Sequence, residues 1–370
     1  MPLARGAARR GGTGRSRRAG RLPRGVAVAV AVLLALAGTG CATVGAGLPA
    51  QARPLVTTAV SPSPSAGGTS GAAAPSPASG TPSPGVEAGV PAPADSGEGC
   101  GDPQASLRPP AVLPTPGAMP AGTFLAAIQQ RGYLRAAVLA DVPPFGSINP
   151  FDGQFAGFDV DLANRIGRAI FGTDGHVRFR ATTYAERIPA LLAGDVDIVV
   201  ATMTTNCERR RQIDFSTVYW YETQRVLVPV DSPYRGLDDL GGRPVCTAAG
   251  TTSVEVLRRA ASHPVPRTVP NIADCLVLLQ SGRVAAITTT SAILAGMAAQ
   301  DPRVRLVGPG LSDEPDAIGV ARGHPELTRF VNGVLAEVLR DGTWAALVQR
   351  WLPALSPPPT VPVPRYAEDG

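Results

Sequence analysis

Lysine is absent from the 370 residues, so every one of the 34 basic side chains is an arginine. That absence removes P-loop nucleotide hydrolases, protein kinases and pyridoxal-phosphate enzymes, each of which needs a lysine at the reacting centre. Histidine is nearly as scarce. His176, His263 and His324 lie far apart and no His or Cys pair has metal-ligand spacing, so neither a zinc site nor any cofactor is expected. A membrane-spanning run is also missing. The apolar stretch over residues 26–37 has about twelve side chains, short of the roughly twenty that cross a bilayer and suited to the core of an export signal.

Acidic residues are missing from the first 40 positions, where Arg5, Arg9, Arg10, Arg15, Arg17, Arg18, Arg21 and Arg24 are concentrated. The formal net charge of +5 therefore describes mainly this segment. Without those eight, 26 arginines face 29 acids, and the remainder is mildly acidic. Nucleic acid is thus not an expected partner.

The apolar run ends at Gly38-Thr39-Gly40-Cys41, which resembles a bacterial lipoprotein cleavage site. On that reading residues 1–40 are a signal peptide and Cys41 carries the lipid, palmitate among its acyl chains. The protein is then held on the outer face of the cytoplasmic membrane. Residues 41–122 are rich in Pro, Ser, Ala, Gly and Thr, as in Ser61-Pro62-Ser63-Pro64-Ser65, and cannot bury enough apolar surface to offset their ordering entropy. They are expected to be a disordered spacer, and residues 353–370, with Pro357-Pro358-Pro359, a disordered tail.

Between them the pattern alternates. Thr123 is placed to cap a helix through residue 130 that stops at Gly132, and residues 133–139 read as a buried strand. A helix over 158–170, a strand over 177–180, a helix over 185–193 and a strand over 196–201 follow. Further strands are expected at 226–230, 243–247, 285–288 and 304–307, with helical patterns between them. Strands alternating with helices predict an α/β fold of mostly parallel sheet flanked by helices, with a ligand beyond the carboxyl ends of the strands.

A family resemblance rests on motifs in one order along this core. They are Asp141-Val142-Pro143-Pro144-Phe145-Gly146, then Gly157-Phe158-Asp159-Val160-Asp161-Leu162-Ala163-Asn164-Arg165-Ile166-Gly167, then Gly194-Asp195-Val196-Asp197-Ile198. Thr204-Thr205-Asn206-Cys207-Glu208-Arg209, Asp214-Phe215-Ser216, Gly250-Thr251-Thr252-Ser253, Asp341-Gly342-Thr343-Trp344 and Trp351-Leu352 continue the series. Together they resemble the polar amino-acid family of extracellular solute-binding proteins that serve ABC importers, of glutamate/glutamine type. The resemblance implies a two-lobed, type II periplasmic-binding-protein-like fold with a two-strand hinge. Residues 123–228 would form the first part of lobe 1, 229–315 lobe 2, and 316–352 the return to lobe 1 with the C-terminal helices.

It also implies a ligand set of Arg209, Thr204, Thr202, Thr251, Thr252, Asp141, Phe145, Thr290, Ser291 and Asp316. Arg209 would hold a ligand α-carboxylate in its fork of donors, with Thr204 donating to the same group and Thr202 offering a carbonyl to the ammonium. Thr252 and Glu255 have capping-box spacing, so the start of that helix is placed to meet the carboxylate as the lobes close. One segment departs from the pattern. Relatives read T-D-D-A-I-L with an Asp for the ammonium, whereas this chain reads Thr289-Thr290-Ser291-Ala292-Ile293-Leu294. Asp316, where relatives carry Tyr or Phe, is a candidate replacement for the lost charge.

With Cys41 lipidated, Cys100, Cys207, Cys246 and Cys275 remain and allow three pairings. Cys246 ends a strand and Cys275 lies in a helix expected on the same sheet, which favours that pair, and a Cys100–Cys207 bridge would pin the spacer to the loop of Arg209. The expected function is capture of a glutamate-, glutamine- or aspartate-like amino acid by a monomer and its delivery to an ABC permease with its ATPase subunit. A sensor signalling to a membrane protein, a binder of small carboxylates and a dehydratase-like enzyme using Glu314 or Asp316 are the alternatives; the leading reading is not an enzyme.

Overall fold

In a computed structural model of the chain, residues 100–353, 355 and 358–367 are described. The export signal and Cys41 lie outside the described residues. Helix α1 (Phe124–Arg131) begins where expected, with Thr123 Oγ1 accepting a hydrogen bond from the Ala126 amide, and stops at Gly132 in the left-handed region. It leads into β1 (Leu134–Val138), which pairs in parallel with β5 (Val177–Ala181) and β6 (Ile198–Val199). A small antiparallel sheet of β2 (Asp141–Val142), β3 (Gly146–Ile148) and β4 (Phe155–Ala156) sits before α2 (Phe158–Phe171). Helices α3 (Arg187–Leu192) and α4 (Cys207–Arg210) complete this part of lobe 1.

The two motifs at the start of α2 fit each other for a steric reason. The Phe158 and Asp159 amides donate to the carbonyls of Pro144 and Phe145. Gly157 has φ +144, and a Cβ there would lie 2.1 Å from the Phe145 oxygen. Only glycine lets the turn lie on the helix start.

Sixteen residues then run as one strand, β7 (Asp214–Pro229), from one lobe into the other. Lobe 2 contains β8 (Pro244–Ala248), α5 (Thr252–Arg259), β9 (Val265–Val269), α6 (Ala273–Gln280), β10 (Ala286–Thr290), α7 (Ser291–Gln300) and β11 (Val304–Val307). The chain returns along β12 (Asp313–Val320), antiparallel to β7, and ends in α8 (Pro325–Arg340) and α9 (Thr343–Trp351). Among the described residues the strands other than β2, β3 and β4 form one sheet in the order β5-β1-β6-β12-β7-β10-β8-β9, with β11 also on β7. The hinge is therefore the β7–β12 ribbon, two strands shared by both lobes.

Two expectations fail at the chain ends. The described part of the supposed spacer and tail is ordered and mutually paired: the Ser106 amide donates to the Arg365 carbonyl at 3.0 Å and the Ala367 amide to the Ser106 carbonyl at 2.9 Å. Ser106 is buried, and its hydroxyl donates to the Phe215 carbonyl at the start of β7. Asn332 of α8 donates to both Ser106 Oγ and the Leu107 carbonyl. These segments lack apolar bulk but satisfy their backbone groups on the folded core, so ordering needs no core of their own.

Both disulfides join the expected partners, Cys100 to Cys207 and Cys246 to Cys275. The second spans a sequence separation of 29 and ties β8 to α6 inside the lobe 2 core. Loop closure of that length is worth about 3–4 kcal/mol. Replacing both Cys246 and Cys275 by Ala is expected to lower the free energy of urea unfolding by that amount. A loss below about 1 kcal/mol would contradict the assignment of stability to this bridge.

Candidate functional site

The ends of β6 and α3 and the loop into α4 bring lobe 1 to the hinge. Arg187, first residue of α3, is buried, and its guanidinium donates to the carbonyls of Tyr184, Ala201 and Thr202 at 2.9–3.0 Å. Burial, with Arg209 nearby, lowers its pKa to about 9. Arg209 is held on the short helix α4, whose cap is the Asn206 side chain accepting the Arg209 amide. Its Nη1 donates to the Thr204 carbonyl at 2.7 Å. Both guanidiniums then reach across to lobe 2 and donate to one acceptor, the Gly250 carbonyl, at 3.3 Å from Arg187 and 3.2 Å from Arg209.

Gly250 sits at φ +77, and a Cβ on it would lie 2.7 Å from Ala185 Cα in lobe 1. The lobes are in direct contact at this point, in a closed arrangement. The next residues do not cap their helix as the spacing predicts. Thr251 is the N-cap position, its hydroxyl donating to the Ala248 carbonyl, while Thr252 Oγ1 turns to Glu314 Oε2 at 2.7 Å. Glu255 pairs with Arg258 instead of closing a capping box.

Glu314 on β12 joins the lobes. Its Oε2 also accepts the Thr204 hydroxyl at 2.6 Å, and its Oε1 accepts the Ser312 hydroxyl at 2.6 Å. Thr204 and Thr252, both expected to meet a ligand carboxylate, thus meet a carboxylate of the protein itself. Thr202 adopts φ +41; its amide donates to Asp159 Oδ2 and its carbonyl accepts from Arg187. The Thr202 and Thr290 hydroxyls are buried without a hydrogen-bond partner, as is the Tyr184 hydroxyl.

The departure at residues 289–291 has a structural counterpart. Ser291 opens α7 and donates its hydroxyl to Glu222 Oε2 at 2.5 Å, and the Ala292 amide donates to the same oxygen. Trp220 Nε1 donates to Glu222 Oε1 at 2.7 Å. A carboxylate therefore stands at the segment that lacks one, supplied by β7. Asp316 is 0% exposed, and neither of its carboxylate oxygens has a hydrogen-bond partner. Burial, then the charges of Glu222, Asp159 and Glu314, raise its pKa well above the usual carboxylate range, against an attraction from Arg187.

Two expected residues lie elsewhere. Phe145 is 0% exposed and packs edge-on to Trp220 and Phe158 at 5.5 and 6.1 Å, a core role. Asp141 accepts the Ala273 amide of α6 at 3.2 Å, a second contact between the lobes. Arg187, Glu222, Tyr184 and Asp159 are cleft residues to which the sequence reading assigned no role. Only Asp159 lies in a recognised motif, and its carboxylate accepts Tyr219 OH and the Thr202 amide.

Two lobes of α/β structure on a two-strand hinge, with buried charges of both signs where they meet, define a hinged solute-binding protein. The comparisons with known proteins specify the family. Residues 134–354 match the bacterial extracellular solute-binding proteins, family 3, and the chain belongs to that family. It is 35% identical over 229 residues to the ABC transporter glutamine-binding protein GlnH of Bacillus subtilis (strain 168), covering 62% of this chain and 84% of that protein. It is 38% identical over 204 residues to a glutamine-binding protein of Geobacillus stearothermophilus, covering 55% and 78%. A solved structure of an ancestral arginine-binding protein bound to glutamine superimposes with a TM-score of 0.56 at 33% identity, covering 60% of this chain and 98% of that one.

Two outcomes follow from this geometry. Gly250→Ala puts a methyl group into the lobe 1 backbone, so the closed form is blocked and solute affinity is expected to fall about tenfold or more in a binding titration, with the fold intact by circular dichroism. Unchanged affinity would mean closure does not pass through Gly250. The second concerns pH. Burial raises the carboxyl of Asp159 to about 7 and lifts those of Glu222 and Asp316. Each binds its proton more readily folded than unfolded, so the stability of the solute-free chain falls as pH rises from about 4 through 7. The thermal midpoint should be higher at pH 5 than at pH 7.5; a midpoint that is flat or lower at pH 5 refutes this.

Proposed function

We propose that the chain is an extracytoplasmic solute-binding lipoprotein, anchored through Cys41, that captures a small polar amino acid by closure of its lobes and presents it to an ABC permease. The α-carboxylate is held by Arg209, with Arg187 behind it and the start of α5 closing from lobe 2. The α-ammonium faces the hinge carboxylates, since Thr290 and Ser291 carry no charge.

The observation that carries this reading is the pair of buried guanidiniums directed from lobe 1 at one carbonyl of lobe 2. Arg209 donates to two carbonyls and pairs with no carboxylate among the described residues. A buried cation bonded only to neutral acceptors is a strong site for an incoming anion. The unpartnered carboxylate of Asp316 favours a ligand that also brings a cation, and so a zwitterion over a simple carboxylate. Glu314 is engaged by three hydroxyl donors, which favours a binding role over an acid–base one. The glutamine-binding relatives from Bacillus and Geobacillus support an amino-acid ligand and transport.

The test is a calorimetric titration of the full chain with L-glutamine and with Arg209→Ala and Arg209→Lys variants. Loss of about 100-fold in affinity is expected for Ala, with only partial recovery by Lys, whose ammonium cannot reproduce the two-pronged fork. Binding unchanged in Arg209→Ala would overturn the site.

A further inference from the structure

The charges at the hinge do not balance. Six carboxylates are buried in the described residues: Asp159, Asp197, Glu222, Asp301, Glu314 and Asp316. Two of them have arginine partners, Asp197 with Arg131 and Arg135 and Asp301 with Arg303. The other four gather where the lobes meet, against only two buried guanidiniums, Arg187 and Arg209. Their disposition follows from the strand register. Glu314 on β12 lies directly opposite Glu222 on β7, and Asp316 opposite Trp220 two residues on. Side chains two apart share a face, so Glu222, Glu314 and Asp316 project from one side of the ribbon while Tyr221 and Pro315 take the other. Like charges directly opposite on neighbouring strands are destabilising, and here both are nearly out of solvent, at 7% and 2% exposure.

Hydrogen bonds relieve two of the three. Glu222 accepts from Trp220, Ser291 and Ala292, and Glu314 from Thr204, Thr252 and Ser312. Asp316 accepts from nothing. The groups facing it are Arg187 of α3 and Tyr184 before that helix, Arg209 of α4, Asp159 of α2, Tyr219 and Glu222 of β7 and Glu314 of its own strand. Arg187 and Arg209 oppose its charge, but neither donates a hydrogen bond to it.

We propose that the ligand carries more positive than negative charge, as a basic amino acid does, with the hinge face of Glu222, Glu314 and Asp316 as its counter-charge. The inference rests on Arg209 as the carboxylate site. With all groups ionised the four carboxylates exceed the two guanidiniums by two. A neutral zwitterion leaves that excess unchanged and an acidic amino acid enlarges it by one. A basic one reduces it by one, and its second cation supplies the partner that a lone hinge carboxylate lacks. Selection by unpaired like charge is the means by which a site rejects the wrong ligand. Asp316 is the main specificity-determining residue, because the other two carboxylates already have donors, and Glu222 adds charge from the Ser291 end.

The experiment is a competition and direct titration of the full chain with L-arginine, L-glutamine and L-glutamate, repeated on Asp316→Asn and Glu222→Gln. L-arginine is expected to bind about tenfold or more tightly than L-glutamine, and L-glutamate more weakly than both. Asp316→Asn should bring the arginine-to-glutamine ratio close to one. Glu222→Gln should shrink the ratio by a smaller factor. If the native chain prefers glutamine or glutamate, the inference is overturned, and the reading of the cleft stands provided that binding still depends on Arg209. If arginine is preferred but Asp316→Asn leaves the ratio unchanged, the counter-charge assignment to Asp316 is overturned. If none of the three binds, the carboxylate site itself is wrong and the inference falls with it.

Discussion

Buried charge where two lobes share a ribbon is the constraint from which the other features of this protein follow. A carboxylate or guanidinium out of water must find an opposite charge or a full set of hydrogen bonds, or else change its protonation state. At the hinge each group uses a different answer. Arg187 and Arg209 spend their donors on main-chain carbonyls, Glu314 collects hydroxyls from both lobes, Glu222 caps α7, and Asp316 has only raised proton affinity to relieve it. Closure is thereby coupled to charge, since the Gly250 carbonyl and the Thr252 hydroxyl are lobe 2 groups bonded to lobe 1 and hinge side chains.

The ends of the chain take part in the same region. Pro103 offers its carbonyl to the Thr205 hydroxyl and to Arg210 Nε, both at 2.7 Å, and Gln104 accepts the Tyr221 hydroxyl of β7 at 2.9 Å. With the Cys100–Cys207 bridge, residues 100–106 are fastened to the loop that carries Arg209 and to the outer face of the hinge. The carboxylates occupy one face of the ribbon and this strap touches the other, so α4 is braced on the side away from the solute.

Much of this was legible in the sequence. Thr123 and Gly132 delimit α1, the Phe158 helix begins at its glycine, and the placement of Arg209 beside Thr204 follows from their shared motif. The hinge strand was not. Over residues 214–229 the polar Thr217, Glu222 and Gln224 interrupt the apolar pattern, and the reading admitted only 226–230 as strand, because the burial of those side chains depends on partners far away in sequence. Glu222 was missed for the same reason: a glutamate in a β-rich stretch reads as solvent-facing until Ser291 and Trp220 are brought to it. The order in the Pro- and Ser-rich ends was hidden because it consists of backbone pairing between residues about 260 apart, for which composition carries no signal.

The central claim is that the cation of the solute is met by the hinge and its carboxylate by Arg209. The most direct test is a crystal structure of the chain grown with L-arginine. The account predicts the α-carboxylate on the Arg209 guanidinium and a ligand nitrogen within about 3 Å of Asp316 Oδ1 or Oδ2. A ligand whose nitrogens all contact lobe 2 alone, with Asp316 still unpartnered, would contradict it.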